Sequence, residues 1–291
     1  MSGTRTSRRT AVWTLAITGA ALFMAALDNL VVGVALPSIR ADLGGSIEDL
    51  EWTVNAYTLA FAVLLITGAA LGDRFGRKRV FGLGLAVFTG ASALAALAPS
   101  IDLLVAARAL QGVGAALVTP LTLTLVSEAF PPERRGAALG IWGAISGLGV
   151  AIGPLVGGAV VEGISWQWIF WLNVPVGLVL LPLARRMLSE SYGPNSRLDL
   201  PGLALGGFGL LGLTFGIVRA DVLGWTSATV VGSISAGVVL LVAFLVWEAR
   251  APQPMLPPRL FRSRGFSATN AVSFAMFFGV FGSIFLLAQF F

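Results

Sequence analysis

Nine stretches of the chain run apolar for about 20 residues, the length a helix needs to cross the hydrocarbon core of a bilayer. They cover roughly 12–36, 51–71, 80–98, 103–127, 137–161, 168–188, 200–218, 228–247 and 266–291, and short polar segments separate them. The pattern predicts an all-α membrane protein of about nine transmembrane helices. The first stretch is too long for a signal peptide and contains Asp28, so it is expected to stay in the mature protein. Residues 248–265 hold prolines at 252, 254, 257 and 258 and read as a linker between the first eight helices and the ninth. The ninth stretch stops at 286-LLAQFF-291 without a polar flank. The expectation is the front part of a longer protein, truncated in its ninth helix.

Composition agrees with the pattern. Hydrophobic residues make up 56% of the chain and charged residues 11%, against about 25% charged in soluble domains. There is no cysteine and no histidine. That excludes disulfides and thiolate or imidazole metal sites and leaves carboxylates as the proton carriers. No nucleophile–base pair or phosphate loop stands out, so neither an enzyme nor a cofactor is expected.

The net charge is +5. A basic chain can mean a nucleic-acid partner, but the arrangement of the charges argues against one. Sixteen of the 19 Lys and Arg fall in the N-terminus and alternate loops, two (Arg40 and Arg219) in the opposite loops, and one (Arg108) within a span. Cytoplasmic loops carry such an excess. The N-terminus is therefore read as cytoplasmic and the chain as multi-pass in a bacterial inner (plasma) membrane, with the lipid bilayer as its surroundings.

Two charges lie inside the spans. Asp28, in 22-LFMAALDNLVVGVALP-37, sits about 12 Å below the outer surface. A carboxylate at that depth is costly and usually faces a water-filled cavity or a partner. It suits proton coupling; the alternative is a carboxylate that is permanently paired. Arg108, in 104-LVAARALQGVGAALVTP-120, shares a helical face with Gln111, Gly112, Ala115, Thr119 and Thr122. A small and polar stripe should face protein or a cavity. The two charges sit at similar depth, so they are expected to be neighbours or to share a water cavity. Gln111, Thr119, Asn55 and Trp142 are further cavity candidates.

Two more segments carry a pattern. In 68-GAALGDRFGRKRV-80, Gly72 and Gly76 permit a tight turn, Asp73 can accept from an arginine or cap the next helix, and Arg74, Arg77 and Lys78 crowd the loop. In 149-GVAIGPLVGG-158, Gly149, Gly153 and Gly157 line one face of helix five, with Pro154 and Gly158 beside them. That face reads either as close packing or as a hinge and sliding surface against a second bundle.

These segments resemble the major facilitator superfamily. Residues 68–80 resemble its loop signature G-x-L-a-D-r-x-G-r-k, with Ala69 at the leading glycine. Residues 104–116 are similar to its helix-four motif, and 149–158 to g-x-x-x-G-P-x-x-G-G of its antiporters. Two further stretches resemble the fourteen-helix drug:proton antiporter-2 family. These are 27-LDNLVVGVALP-37, with Leu30 and Gly33 in place of Thr and Asn, and 166-WQWIFWLNVPVG-177, with Gln167 in place of Arg.

The resemblance implies a six-helix bundle over 1–190, two additional helices over 191–248, and a linker with the first helix of an incomplete second bundle over 249–291. It also implies alternating access by rocking bundles and proton-driven export of hydrophobic or cationic small molecules. Asp28 and Arg108 would couple protons, and the Asp73 loop would lock the outward-facing state. The C-terminal helices absent from this chain would be needed for a complete carrier. Export of an endogenous metabolite or antibiotic, or a non-transporting remnant, is the alternative.

Overall fold

The computed structural model describes residues 8–193, 198–251, 254 and 258–290. They fall into two units, Met1–Leu241 and Val242–Phe291. The first contains α1 (Arg8–Leu43), α2 (Ile47–Phe75), α3 (Arg77–Ala96), α4 (Ile101–Ala129), α5 (Pro132–Gly163), α6 (Trp168–Trp171), α7 (Asn173–Met187) and α8 (Leu200–Leu223). Helix α9 (Ala228–Arg250) runs from the first unit into the second, which also holds α10 (Arg264–Phe290). Among the described residues, eight helical segments are long and apolar enough to cross a membrane, α6 and α7 together forming one of them. Helix α10 occupies the ninth expected stretch.

Local chemistry sets the helix ends. Gly44 and Gly45, both at positive φ, turn the chain between α1 and α2. Ser46 and Asp49 then start α2 as a reciprocal capping box. Ser100 caps α4 and Asp199 caps α8. The hydrogen-bond ladder of the sixth span has a break, although Leu172 keeps α-helical dihedral angles. Pro175 has no N–H to donate to the Trp171 carbonyl, and α6 gives way to α7 around Leu172.

In the first unit α4 packs between α2 and α3, and α1 lies along α5. Gly112 lets α4 approach α2 at backbone distance: a side chain there would collide with the Tyr57 carbonyl. Two apolar clusters fill the interior. One holds Ala25, Tyr57, Phe88, Ala115 and Leu180; the other holds Leu27, Leu50, Ala95, Ala107 and Phe170. Every one of these five spans contributes to both clusters, and on every one a buried polar residue falls at or near the changeover. These residues are Asp28, Thr53, Ser92, Arg108 with Gln111, and Asn173. A polar layer therefore lies between two apolar ones.

The face of Gly149, Gly153 and Gly157 is buried against α1. A Cβ at these positions would lie 3.1 Å from the Phe23 carbonyl, 3.1 Å from Leu30 Cβ and 3.2 Å from Val31 Cγ1. This is the close-packing alternative, realised within the first unit: lipid supplies no hydrophobic drive between helices, so small residues bring them together instead. Gly158 points away from any neighbour within 4 Å, as do Gly140, Gly143 and Gly147. Pro154 is exposed beside the buried stripe.

Helix α8 is tied to α2. Arg219 forms an ion pair with Glu48, and Phe215 meets Trp52 with ring centroids 6.4 Å apart.

Candidate functional site

The polar layer is built around one carboxylate. Asp28 reaches it from α1, whose neighbouring turns place Ala25 and Val31 in the apolar layers on either side. Arg108 reaches it from α4 and donates through Nη1 to Asp28 Oδ2 at 2.5 Å. Their side chains are 0% and 1% exposed, for Arg108 and Asp28 respectively. Gln111 lies one helical turn further along α4. Its Nε2 donates to Asp28 Oδ1 at 3.1 Å and to Ser92 Oγ on α3 at 2.8 Å, while its Oε1 accepts from Arg108 Nη1 at 2.9 Å. Arg108 Nε donates to the Thr53 carbonyl on α2 at 2.9 Å. Asn173, the first residue of α7, donates from Nδ2 to Asp28 Oδ1 at 2.7 Å.

Five spans thus meet through side-chain hydrogen bonds around a single acceptor. Tyr57 and Phe170 close the guanidinium in, with their ring centroids 4.4 and 5.9 Å from its central carbon. Arg108 Nη2 makes no hydrogen bond to the described residues, and the cation–π contact with Tyr57 partly offsets that loss. Desolvating an ion pair is expensive, and the gain recovers it only when the remaining donors and acceptors are filled. The Gln111, Asn173 and Thr53 contacts do most of that filling.

The two intramembrane charges are therefore neighbours, as their depth suggested. They face each other directly and are closed to solvent. Gln111 joins them; the other cavity candidates do not. Asn55 is half-buried on α2 and lies about 200° round the helix from Thr53. Trp142 donates from Nε1 to Thr122 Oγ1 at 3.0 Å, and Thr122 in turn donates to the Thr119 carbonyl at 2.6 Å. That group sits about 20 Å further along α4 than Arg108. Asn173, Ser92 and Thr53 were not singled out from the sequence. Asn173 lies inside the quoted stretch 166–177, which was the available signal. Ser92 and Thr53 had none beyond being polar in an apolar span.

A second ionic cluster occupies the loop between α2 and α3. Asp73 Oδ1 accepts from Arg77 Nε at 2.8 Å and from Arg77 Nη2 at 2.7 Å. Arg77 also pairs with Glu128 at the end of α4. Of the two roles open to Asp73, the structure shows acceptance from an arginine; the first turn of α3 is instead met by Glu190, whose Oε1 accepts from the Lys78 N–H at 2.9 Å. Backbone bonds tie the same segment down: Arg77 N–H to the Ser191 carbonyl and Gly193 N–H to the Asp73 carbonyl, both 2.9 Å. Gly76 stands at φ 106°, and a Cβ there would lie 2.7 Å from the Glu190 carboxyl carbon. Arg74 lies over the Phe75 ring, 5.1 Å from its centroid.

The Major Facilitator Superfamily model matches residues 18–291. The chain is 38% identical over 282 residues to a methylenomycin A resistance protein of Bacillus subtilis, covering 97% of this chain and 60% of that protein. It is 45% identical to a cephamycin export protein of Amycolatopsis lactamdurans, covering 88% and 54%. Against a puromycin resistance protein of Streptomyces alboniger it is 43% identical, covering 84% and 49%. The chain spans about half the length of the curated relatives it matches. Among solved structures, a peptide transporter in complex with sulfate superposes with a TM-score of 0.62 at 19% identity, covering 86% of this chain and 54% of that one. That likeness concerns the fold.

Proposed function

This chain belongs to the major facilitator superfamily, and we propose that it is the N-terminal part of a proton-coupled exporter of hydrophobic or cationic small molecules. Eight apolar helices among the described residues, together with bacterial export and resistance relatives, make it a multi-pass protein of the inner membrane. The observation that carries the proposal is the buried Asp28–Arg108 pair, the point where five spans are joined. A proton reaching Asp28 removes the negative charge that holds Arg108, Gln111 and Asn173 together. The guanidinium, which keeps its charge, then needs another acceptor, and the helices that shared Asp28 are free to shift. Protons entering and substrate leaving through alternating conformations is the cycle this supports.

In this reading residues 1–190 form the first bundle and 191–248 the additional pair. Residues 249–291 begin the second bundle, whose remaining helices complete the carrier. The Asp73 loop, already clasped by Glu190 and Glu128, meets that bundle in one conformation of the cycle. The export and resistance roles in the relatives' names favour a second reading, that the cargo is an antibiotic of the producing cell.

Efflux from inverted vesicles under an imposed pH gradient tests the proposal, using the full-length reading frame and Asp28→Asn. Accumulation of ethidium should follow the gradient in the parent and lose that dependence in the variant. Gradient-driven accumulation that survives in Asp28→Asn would remove Asp28 from the coupling path.

A further inference from the structure

The three donors to Asp28 are not equivalent. Arg108 keeps the Thr53 carbonyl and Gln111 as partners if Asp28 stops accepting, and Gln111 keeps Ser92. Among the described residues Asn173 makes a single side-chain hydrogen bond, and it is the one to Asp28. Asn173 is 2% exposed, so little of its side chain reaches solvent. It also opens α7, immediately after the interruption that divides the sixth span. On its two sides Phe170 is fully buried near Arg108, and Gly177 abuts Thr89 of α3 so closely that no Cβ would fit. The span is gripped above and below its break, and at the break one side-chain bond ties it to α1.

We propose that Asn173 is a positioning residue which ties the break in the sixth span to Asp28, so that a proton on Asp28 unfastens that break. An ionised carboxylate only accepts hydrogen bonds. Once one oxygen carries a proton it has a hydrogen to donate, and fewer lone pairs remain for the three donors around it. Arg108 and Gln111 fall back on their other partners within α2, α3 and α4. The Asn173 N–H has no second acceptor, so of the three donor contacts the tie between α1 and α7 is the one that weakens most. Among the described residues, the charged and titratable groups facing Asp28 are Arg108 from α4 and Tyr57 from α2; Asn173 on α7 and Ser92 on α3 are neutral, and α5 brings only residues 149–153, without a titratable group, to this level of α1. The event thus converts one proton into loosening of one defined segment, residues 168–177. This inference rests on the proton-coupling reading given above.

Hydrogen–deuterium exchange of peptides covering residues 168–177, in the full-length protein at one fixed pH, tests it. Asp28→Asn, which places a neutral side chain of the same shape at the hub, should raise exchange there about tenfold, the size expected for losing a hydrogen bond to a charged group. Asn173→Ala should do the same, and the double variant should exchange no faster than either single one. Asn173→Ser, which keeps a shorter donor, should fall between parent and Ala and serves if Asn173→Ala does not fold. In transport, Asn173→Ala should retain ethidium affinity while gradient-driven turnover drops about tenfold. Exchange that is additive in the double variant, or unchanged in Asp28→Asn, overturns the role given to Asn173. Gradient-driven transport persisting in Asp28→Asn, with exchange still non-additive, would instead reject proton coupling at Asp28 and leave the tie intact.

Discussion

Arg108 Nη1 lies 2.5 Å from Asp28 Oδ2, although the two residues are 80 positions apart and both are closed to solvent. Removing either partner strands a charge in a dry interior. Arg108→Ala should therefore destabilise the bundle by about 3–5 kcal/mol, read as a large fall in the thermal unfolding midpoint in detergent. Replacing both, as Asp28→Asn with Arg108→Gln, should recover much of that stability without restoring transport. A double variant no more stable than Arg108→Ala would mean the pair is not the unit that matters.

Lysine should not replace this arginine. The guanidinium reaches Asp28, Gln111 and the Thr53 carbonyl at once, through Nη1 and Nε in fixed directions; an ammonium is a point charge without that fork. Arg108→Lys should keep a folded protein yet lower proton-driven efflux about tenfold or more, roughly the loss of one charge-assisted bond. Efflux equal to the parent's would contradict this.

The glycines of helix five should separate into two classes. Gly153→Leu pushes into Leu30 on α1, and overpacking of this kind costs about 1–3 kcal/mol. Gly158 has open space, so Gly158→Ala should leave the unfolding midpoint unchanged or slightly raised. Thermal scans of both variants in one detergent decide the matter, and equal effects would disprove the packing assignment.

At the loop between α2 and α3, Gly76→Ala meets two obstacles, a positive φ and the Glu190 carboxylate. A strained backbone position of this kind costs about 1–3 kcal/mol. Glu190→Ala removes the acceptor of the Lys78 and Ser191 N–H groups and an exposed ion pair with Arg79, for about 1 kcal/mol. Exchange at the first turn of α3 should rise in both variants and more in Gly76→Ala. The reverse order would show that the clasp, not the backbone, fixes the turn.

The membrane class and the positions of the helices were legible in hydropathy, because lipid forces every backbone polar group into helical bonds. The unusual cost of Asp28 and Arg108 was legible for the same reason. Equal depth made them candidate neighbours, but their direct contact was not legible, because depth says nothing about rotation of α1 and α4 about their axes. The missing ladder bond near Leu172 was likewise not legible, since 168–184 is apolar apart from Asn173 and Pro175 lies near its start, where proline is tolerated.

The sequence by itself determined that two charges lie within the membrane, that a compact basic loop joins α2 to α3, and that helix five carries a smooth face of glycines. Only the tertiary structure decided what each of these meets. It placed Asn173, Gln111 and Arg108 around one carboxylate, gave the cap of α3 to Glu190, and turned the glycine face toward α1. The extent of an apolar run fixes where a helix lies along the membrane normal. Which side chains touch depends on how neighbouring helices rotate and interlock, and short, directional hydrogen bonds between spans distant in sequence settle that.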